Sequence, residues 1–151
     1  MILDLDKIKK LLPHRKPFLF VDSCKIIESG KIGIGRRRFL SDEYFFKGHF
    51  PETPIVPGVI LIEALAQTAG IVVASTLSNQ SEKSVLFMSI SNAKFRKPVL
   101  PDDEIVFEIN ITNQVKSVYK CYGEAKKNSD RVCEASFSAM IIEKSYSNIL
   151  K

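Results

Sequence analysis

The chain has 151 residues, a length that suits one domain with its own hydrophobic core. Hydrophobic residues make up 45% of it and charged residues 26%, which is ordinary for a soluble globular protein and argues against disorder. The net charge of +5 suggests an acidic partner without identifying one, because basic residues usually belong to a solvated surface. The longest apolar run, residues 59–74, is too short and too polar for a membrane span.

The N-terminal residues and the cysteines predict a cytoplasmic protein. The chain starts MILDLDK, which is acidic and alternates in polarity, unlike the basic and then apolar start of a signal peptide. The three cysteines, Cys24, Cys121 and Cys133, form no CxxC pair, so we expect reduced thiols. Two histidines and scattered thiols offer no metal-ligand spacing, so no metal site is expected.

The first third of the chain predicts a helix followed by a hairpin. Apolar residues at near-helical spacing predict a helix over residues 3–12, which Pro13 ends. The apolar run 18–27 predicts a strand, and the loosely alternating residues 31–40 predict the second arm of the hairpin. Residues 41–56 predict an ordered loop with one short helical or extended piece around Tyr44–Phe46.

The rest of the chain predicts one long helix and then strands. Pro57 and Gly58 open the helix, because proline lacks the N–H that would be unpaired in a first helical turn. From Val59 to about Leu77 the helix is apolar nearly all round, so other structure should wrap it. Strands are predicted over residues 85–95, 105–112, 118–127 and 131–142. We therefore predict an α+β fold in which residues 1–151 form one domain, with an antiparallel sheet around one long central apolar helix.

One carboxylate, Glu63, interrupts the apolar helix, and His49 precedes it in a turn rich in glycine and proline. A buried carboxyl is costly unless it is paired or protonated. His49 can supply a partner and a proton carrier, so the pair suggests acid–base chemistry on a substrate that enters an apolar site. The alternatives are a structural histidine in the turn, and a Glu63 that is satisfied by Gln67 one helical turn later.

Three segments carry a more specific signal. They are LPHRKPFLFVD at residues 12–22, GHFPETPIVPGVILIEALAQ at residues 48–67 and NAKFRKPVLP at residues 92–101. Together and in this order they resemble the 3-hydroxyacyl-[acyl-carrier-protein] dehydratase family of bacterial fatty-acid synthesis. His14 and Arg15 belong to the first segment, but we assign them no catalytic role and interpret them as structural loop residues.

The resemblance implies a hot-dog fold, in which the sheet wraps the helix. It also implies a homodimer whose two sheets join, with sites that combine His49 of one subunit with Glu63 of the other, and often a trimer of dimers. Glutamate at position 63 matches the branch that only dehydrates, since the dehydratase-isomerase branch usually carries aspartate there. One departure is Asp102, where the family commonly has glycine, which tolerates φ > 0 more readily.

Dehydration of a 3-hydroxyacyl thioester needs three roles, which these residues can fill without a metal or redox cofactor. Neutral His49 is the candidate base for the C2 proton. Glu63 is the candidate acid or water-orienting group, supported by Gln67, and burial in an apolar helix is expected to favour its protonated form. The N–H groups of Gly58 and Val59 are candidate donors to the thioester oxygen, because they are unpaired in the first helical turn. The missing side chain of Gly58 would let the substrate come close; the alternative is that Gly58 only permits the turn.

The substrate implies an apolar tunnel and a basic surface for the acidic acyl carrier protein. The tunnel candidates, each with ordinary core as the alternative, are Ile62, Leu65, Ala66, Phe87, Met88 and Ile90. The docking candidates, each with a solvated edge as the alternative, are Lys94, Arg96 and Lys97 in one cluster and Arg36, Arg37 and Arg38 in another. Nucleic acid is a weaker interpretation, because stacking aromatics on a basic face are not evident.

The sequence therefore favours a cytoplasmic enzyme that converts 3-hydroxyacyl thioesters of acyl carrier protein reversibly to trans-2-enoyl thioesters and water. Two alternatives stay open. A hot-dog thioesterase would use the helix carboxylate to activate water, but it leaves His49 and its glycine- and proline-rich turn unexplained. A non-catalytic acyl-carrier-binding or assembly subunit would leave His49 and Glu63 as packing residues only.

Overall fold

The computed structural model describes residues 1–77 and 83–143 of the chain. The helices within them are α1 (Leu5–Leu11) and α2 (Gly58–Ala74), with a 3-10 helix over Tyr44–Lys47. The strands are β1 (Ile2–Leu3), β2 (Ser23–Glu28), β3 (Ile32–Arg38), β4 (Ser84–Phe95), β5 (Glu104–Val115), β6 (Val118–Lys127) and β7 (Asp130–Ile142). Residues 144–151 of the predicted domain lie outside the described residues.

The strands of the described residues form one antiparallel sheet in the order β1-β2-β3-β5-β6-β7-β4. Helix α2 contacts β2 through β7, so the sheet curves around it. Every residue of α2 from Ile60 to Ala74 is buried except Glu63, because the sheet and the N-terminal segment cover nearly all of its sides. The predicted α+β fold, an antiparallel sheet around one long apolar helix, is confirmed.

Glycines in the sheet let α2 approach closely. A Cβ at Gly35 would lie 2.5 Å from the hydroxyl oxygen of Thr68, and a Cβ at Gly33 would lie 2.4 Å from a methyl group of Val72. Neither position can hold a side chain without displacing the helix or its side chains. Thr68 is fully buried in this contact and donates its hydroxyl to the Ala64 carbonyl at 2.9 Å.

The predicted strand over residues 18–27 begins only at Ser23, which corrects the prediction. At Phe18 and Phe20 the main chain bonds to a side chain instead of to a neighbouring strand. The N–H of Phe20 donates to Gln67 Oε1 at 2.7 Å, and the carbonyl of Phe18 accepts from Gln67 Nε2 at 2.9 Å. The sequence also does not predict β1, because two residues are too few to show a period.

The remaining elements lie close to their predicted bounds. Helix α2 ends at Ala74, and backbone hydrogen bonds of turn type continue to Leu77. The 3-10 helix falls where a short helical or extended piece is predicted. Among the described residues, no helix is both long enough and apolar enough to cross a membrane.

Candidate active site

His49 follows the 3-10 helix and is held by backbone hydrogen bonds. Its N–H donates to the carbonyl of Phe45 at 3.1 Å, and its carbonyl accepts the N–H of Ile55 at 2.8 Å. The ring Nδ1 lies 2.9 Å from the carbonyl oxygen of Ile55. A carbonyl can only accept, so Nδ1 carries the proton, and Nε2 of the neutral ring keeps its lone pair. A general base requires this form of the ring.

His49 lines an open cavity of about 430 Å³ at the N-terminus of α2. The walls come from the turn that holds His49, from the first turns of α2 and from the segment at the end of β4. The lining residues are His49, Ile55, Val56, Gly58, Val59, Leu61, Phe95, Arg96, Lys97, Pro98 and Val99. The candidate base and both candidate N–H donors therefore share one cavity with two cationic side chains.

Gly58 and Val59, in the first turn of α2, line this cavity. Pro57 precedes the helix and provides no side-chain cap. The N–H groups of Gly58 and Val59 have no intrahelical acceptor at these positions, and they lie at the positive end of the helix dipole. Donors of this kind stabilise an oxyanion when its oxygen comes within hydrogen-bond distance.

The ring of Phe95 packs directly against Gly58. A Cβ at position 58 would lie 2.5 Å from Cε1 and 2.7 Å from Cδ1 of the Phe95 ring. The sequence suggests that the missing side chain makes room for substrate, but in the structure the aromatic ring lies against that space. Phe95 is itself a wall of the cavity, so a larger residue at position 58 would change the shape of the cavity.

Glu63 does not line the cavity that contains His49. Its Oε2 accepts a hydrogen bond from Gln67 Nε2 at 2.9 Å and lies 3.5 Å from Nε2 of His14. The side chains of His14 and Glu63 are 15% and 19% exposed, so these two residues lie at the edge of the core. The contact between Glu63 and Gln67 that their spacing predicts is present, but one chain does not bring Glu63 into the cavity of His49.

His14 is the residue near the candidate acid that sequence reasoning missed. A signal was available, because His14 is one of only two histidines and lies in one of the three segments that carry the resemblance. Its spacing does not point to Glu63, however. The two residues are far apart in the chain, and only the packing of the N-terminal segment against α2 brings them together.

The predicted tunnel residues fall into two groups. Those on α2 are buried in the core, and they are Ile62, Leu65 and Ala66. Those on β4 are exposed, with exposed fractions of 37% for Phe87, 54% for Met88 and 48% for Ile90. None of the six lines the cavity beside His49, so the tunnel stays a prediction.

The basic cluster near the end of β4 lies beside the cavity. Arg96 and Lys97 line it, and each has a carboxylate neighbour: Arg96 pairs with Glu134, and Lys97 lies 3.2 Å from Asp130. The hydrogen bond from Arg96 lowers the pKa of the Glu134 carboxyl. Lys94 is exposed and forms no ion pair with another described residue. Lys94 therefore adds positive charge to this surface without a neutralising carboxylate among the described residues.

Arg37 is a correction to the predicted docking residues. Its side chain is 13% exposed and pairs with both Asp22, at 2.9 Å, and Glu43. Two carboxylates neutralise this nearly buried guanidinium, so Arg37 ties β3 to the segments before β2 and before the 3-10 helix instead of facing a partner. Arg36 and Arg38, the other two residues of this cluster, stay exposed, but each forms an ion pair with Glu104.

The cysteines are free and buried. Burial raises the pKa of Cys24 and of Cys121 to about 12 and that of Cys133 to about 11. The neutral thiol therefore dominates at neutral pH, and none of the three is a thiolate nucleophile.

A sheet wrapped around one long helix defines the hot-dog class of proteins, and comparison with solved structures agrees. The dehydratase heterocomplex ApeI:P from Xenorhabdus doucetiae has a TM-score of 0.76 over 95% of this chain and 94% of that chain. The sequence identity is 12%, so this likeness shows the fold alone. The predicted hot-dog fold is confirmed.

Sequence relatives define the family. A family model described as a FabA-like domain matches residues 12–136. The 3-hydroxyacyl-[acyl-carrier-protein] dehydratase FabZ of Rhizobium etli is 45% identical over 141 residues, which cover 93% of this chain and 90% of that protein. The FabZ dehydratase of Paramagnetospirillum magneticum is 40% identical over 94% of this chain and 89% of its own length. The chain belongs to the FabA-like family of 3-hydroxyacyl-[acyl-carrier-protein] dehydratases.

Proposed function

We propose that the protein removes water from 3-hydroxyacyl-[acyl-carrier-protein] and forms the trans-2-enoyl thioester in fatty-acid synthesis. The observation that carries the proposal is the fixed ring of His49, whose Nδ1 donates to a carbonyl while its side chain lines the cavity at the N-terminus of α2. A base beside an oxyanion site suits removal of a proton next to a thioester carbonyl. The substrate class follows from membership of the family.

In this mechanism the thioester oxygen lies against the N–H groups of Gly58 and Val59. They stabilise the negative charge that develops on that oxygen as the C2 proton leaves. Nε2 of His49 accepts the proton. Glu63 donates a proton to the 3-hydroxyl oxygen as the C3–O bond breaks, so water departs and the C2–C3 double bond forms. The resulting imidazolium and carboxylate take the opposite roles in the reverse hydration.

We infer that His49 of one subunit and Glu63 of another act together in a homodimer. Glu63 does not line the His49 cavity of its own chain, which supports a site completed by a second copy. Strand β4 supports the same assembly, because it lies at the edge of the described sheet and is exposed on both faces from Phe87 to Phe95. A second copy that continues the sheet would cover this apolar edge. The trimer of dimers stays a prediction of the resemblance.

We propose that the acidic acyl carrier protein docks at Lys94, Arg96 and Lys97. Two of the three line the cavity, so a carrier bound there would deliver its tethered acyl chain close to His49. Attraction between opposite charges would raise the association rate and would weaken as salt is added.

The three free, buried cysteines support a cytoplasmic location, where thiols stay reduced.

The test mixes two inactive variants, His49→Ala and Glu63→Ala. Each alone is expected to lose roughly 100-fold or more in turnover of a 3-hydroxybutyryl thioester, followed by enone absorbance. The two are then unfolded and refolded together in equal amounts. A mixed dimer has one site with both native residues and one site with neither, so about a quarter of the wild-type activity is expected to return.

The outcomes separate the possibilities. If activity does not return although differently tagged subunits co-purify as mixed dimers, the shared site is wrong. If His49→Ala is fully active in its native oligomeric state, the proposed base is wrong. A free-thiol assay runs in parallel, and thiol release without enone would favour the thioesterase. Binding of acyl carrier protein without either signal would favour the non-catalytic subunit.

A further inference from the structure

We propose that His14 is a positioning residue for Glu63, and that the side chains around Glu63 leave its Oε1 as the oxygen that serves the substrate hydroxyl. The inference rests on the proposed role of Glu63 in dehydration. It goes beyond that role because it gives His14 a function and gives the two carboxyl oxygens different functions. Three features of the structure support it: the orientation of Gln67, the orientation of His14 and the anchoring of the loop that carries His14.

The amide of Gln67 is oriented by the main chain. Its Oε1 accepts the N–H of Phe20 at 2.7 Å, and its Nε2 donates to the carbonyl of Phe18 at 2.9 Å. A flipped amide would place oxygen against a carbonyl and N–H against N–H, which is unfavourable for a side chain with no exposed surface. The second N–H of Nε2 is therefore directed as a donor to Glu63 Oε2, at 2.9 Å.

His14 faces the same oxygen. Its Nε2 lies 3.5 Å from Glu63 Oε2, which is long for a hydrogen bond but close enough for a directed electrostatic contact. Its Nδ1 is buried and has no hydrogen-bond partner among the described residues. A proton on Nδ1 would leave a buried donor unpaired and would set the Nε2 lone pair against the carboxyl oxygen. The favoured ring therefore carries its proton on Nε2, towards Glu63.

The loop that carries His14 is anchored on both sides. The guanidinium of Arg15 donates to the carbonyls of Lys9 and Leu12 at 2.8 and 2.9 Å. It also donates to the carbonyl of His14 itself at 2.6 Å. These bonds satisfy carbonyls at the end of α1, which would otherwise be unpaired, and Gln67 binds the main chain that follows the loop. His14 is thus held at a defined place beside α2.

Two donors directed at Oε2 make the two carboxyl oxygens inequivalent. A protonated Glu63 carries its proton on Oε1, because Oε2 already accepts from Gln67 and faces Nε2 of His14. In the protonated acid, a half-turn of the carboxyl group would set its O–H against the donors from Gln67 and His14, so these two neighbours favour one orientation. In the dehydration, the proton moves from Oε1 to the 3-hydroxyl oxygen as the C3–O bond breaks. A misdirected carboxyl would slow this step without weakening substrate binding.

The test compares His14→Gln, His14→Asn and His14→Leu in the full chain, with melting temperature and oligomeric state measured for each. Glutamine can place an amide N–H near the position of the histidine Nε2, whereas asparagine places it near Nδ1 and does not reach Glu63. We expect His14→Asn and His14→Leu to lower kcat by roughly tenfold to a hundredfold at nearly unchanged KM. His14→Gln should recover most of the lost kcat.

A double-mutant cycle separates positioning from a purely structural role. In a Glu63→Gln background, His14→Leu should lower the residual kcat no further, because the positioned carboxyl is already gone. The inference is overturned by full activity of His14→Leu, by equal losses in both backgrounds, or by losses in all three variants that follow the melting temperature. Full activity of Glu63→Gln would instead remove the proposed role of Glu63, and this inference with it.

Discussion

At the scale of single residues, the two histidines of the chain show how a hydrogen-bond partner decides the chemistry of a ring. His49 donates through Nδ1 to a backbone carbonyl, so its Nε2 is available as a base. His14 faces a carboxyl oxygen through Nε2, and its buried Nδ1 has no hydrogen-bond partner in the part of the chain that the structure describes. In the proposed mechanism the first abstracts a proton and the second positions an acid.

At the same scale, the backbone of Asp102 has a strained conformation. It adopts φ of +69°, in the left-handed region where the resembling family commonly has glycine. The N–H of Asp102 donates to the carbonyl of Phe39, and the carbonyl of Asp102 accepts from the guanidinium of Arg38. Both bonds use main-chain atoms of residue 102, so glycine would keep them. Relief of roughly 1–2 kcal/mol of strain should exceed a backbone entropy cost of roughly 0.5–1 kcal/mol. We expect Asp102→Gly to raise the free energy of unfolding in urea by up to about 1 kcal/mol.

Asp102→Ala is the matched control, because it removes the same carboxylate but keeps a Cβ. It should show no gain in the free energy of unfolding. A loss of stability in the glycine variant, or an equal gain in the alanine variant, would contradict the explanation by backbone strain.

At the scale of elements, the closeness of α2 to the sheet depends on residues without side chains. A Cβ at Gly35 would lie 2.5 Å from the hydroxyl oxygen of Thr68, which α2 holds in the core. We expect Gly35→Ala to lower the free energy of unfolding by roughly 1–3 kcal/mol, because helix and strand would have to separate. Gly48→Ala is the control, since no described atom beyond its two chain neighbours lies within 4 Å of a Cβ there and φ is −108°. Urea denaturation measures both, and equal effects would contradict the overpacking argument.

The elements are predictable where the local pattern and the packing agree. Helix α2 is apolar on nearly every side, and the sheet does cover nearly every side. The strand predicted from Phe18 begins late, because the carbonyl of Phe18 and the N–H of Phe20 bond to Gln67, a residue of α2. An apolar run indicates burial in both cases. It does not indicate whether the backbone N–H and carbonyl groups will bond to a neighbouring strand or to a side chain.

At the scale of the whole molecule, β4 is the long strand at one edge of the described sheet. Its neighbour on one side is β7, and the described residues place no strand on the other side. Large apolar side chains are exposed along it, including Met88 and Ile90. A protein that presents such an edge needs a partner strand to avoid indiscriminate association. In our proposal the partner is the same strand of a second copy.

This assembly leads to a prediction for Ile90→Lys. The substitution puts a charge into the proposed interface but leaves the fold of one chain intact, because Ile90 is 48% exposed there. We expect a monomer by light scattering and a loss of dehydratase activity, since His49 and Glu63 would no longer meet. Val115→Lys is the control, because Val115 is 60% exposed on an inner strand of the sheet. An active dimer of Ile90→Lys would contradict the proposed use of β4.

The sequence by itself determined the fold class and the family of this protein. The period of α2 and of the strands is a local property, and the segments that carry the family resemblance are contiguous, so both can be read along the chain. Only the tertiary structure decided which distant residues meet: His14 beside Glu63, Phe95 against Gly58, and Arg37 between two carboxylates. The physical reason is that such contacts depend on how loops and strands pack against α2, and no local period or spacing encodes that packing.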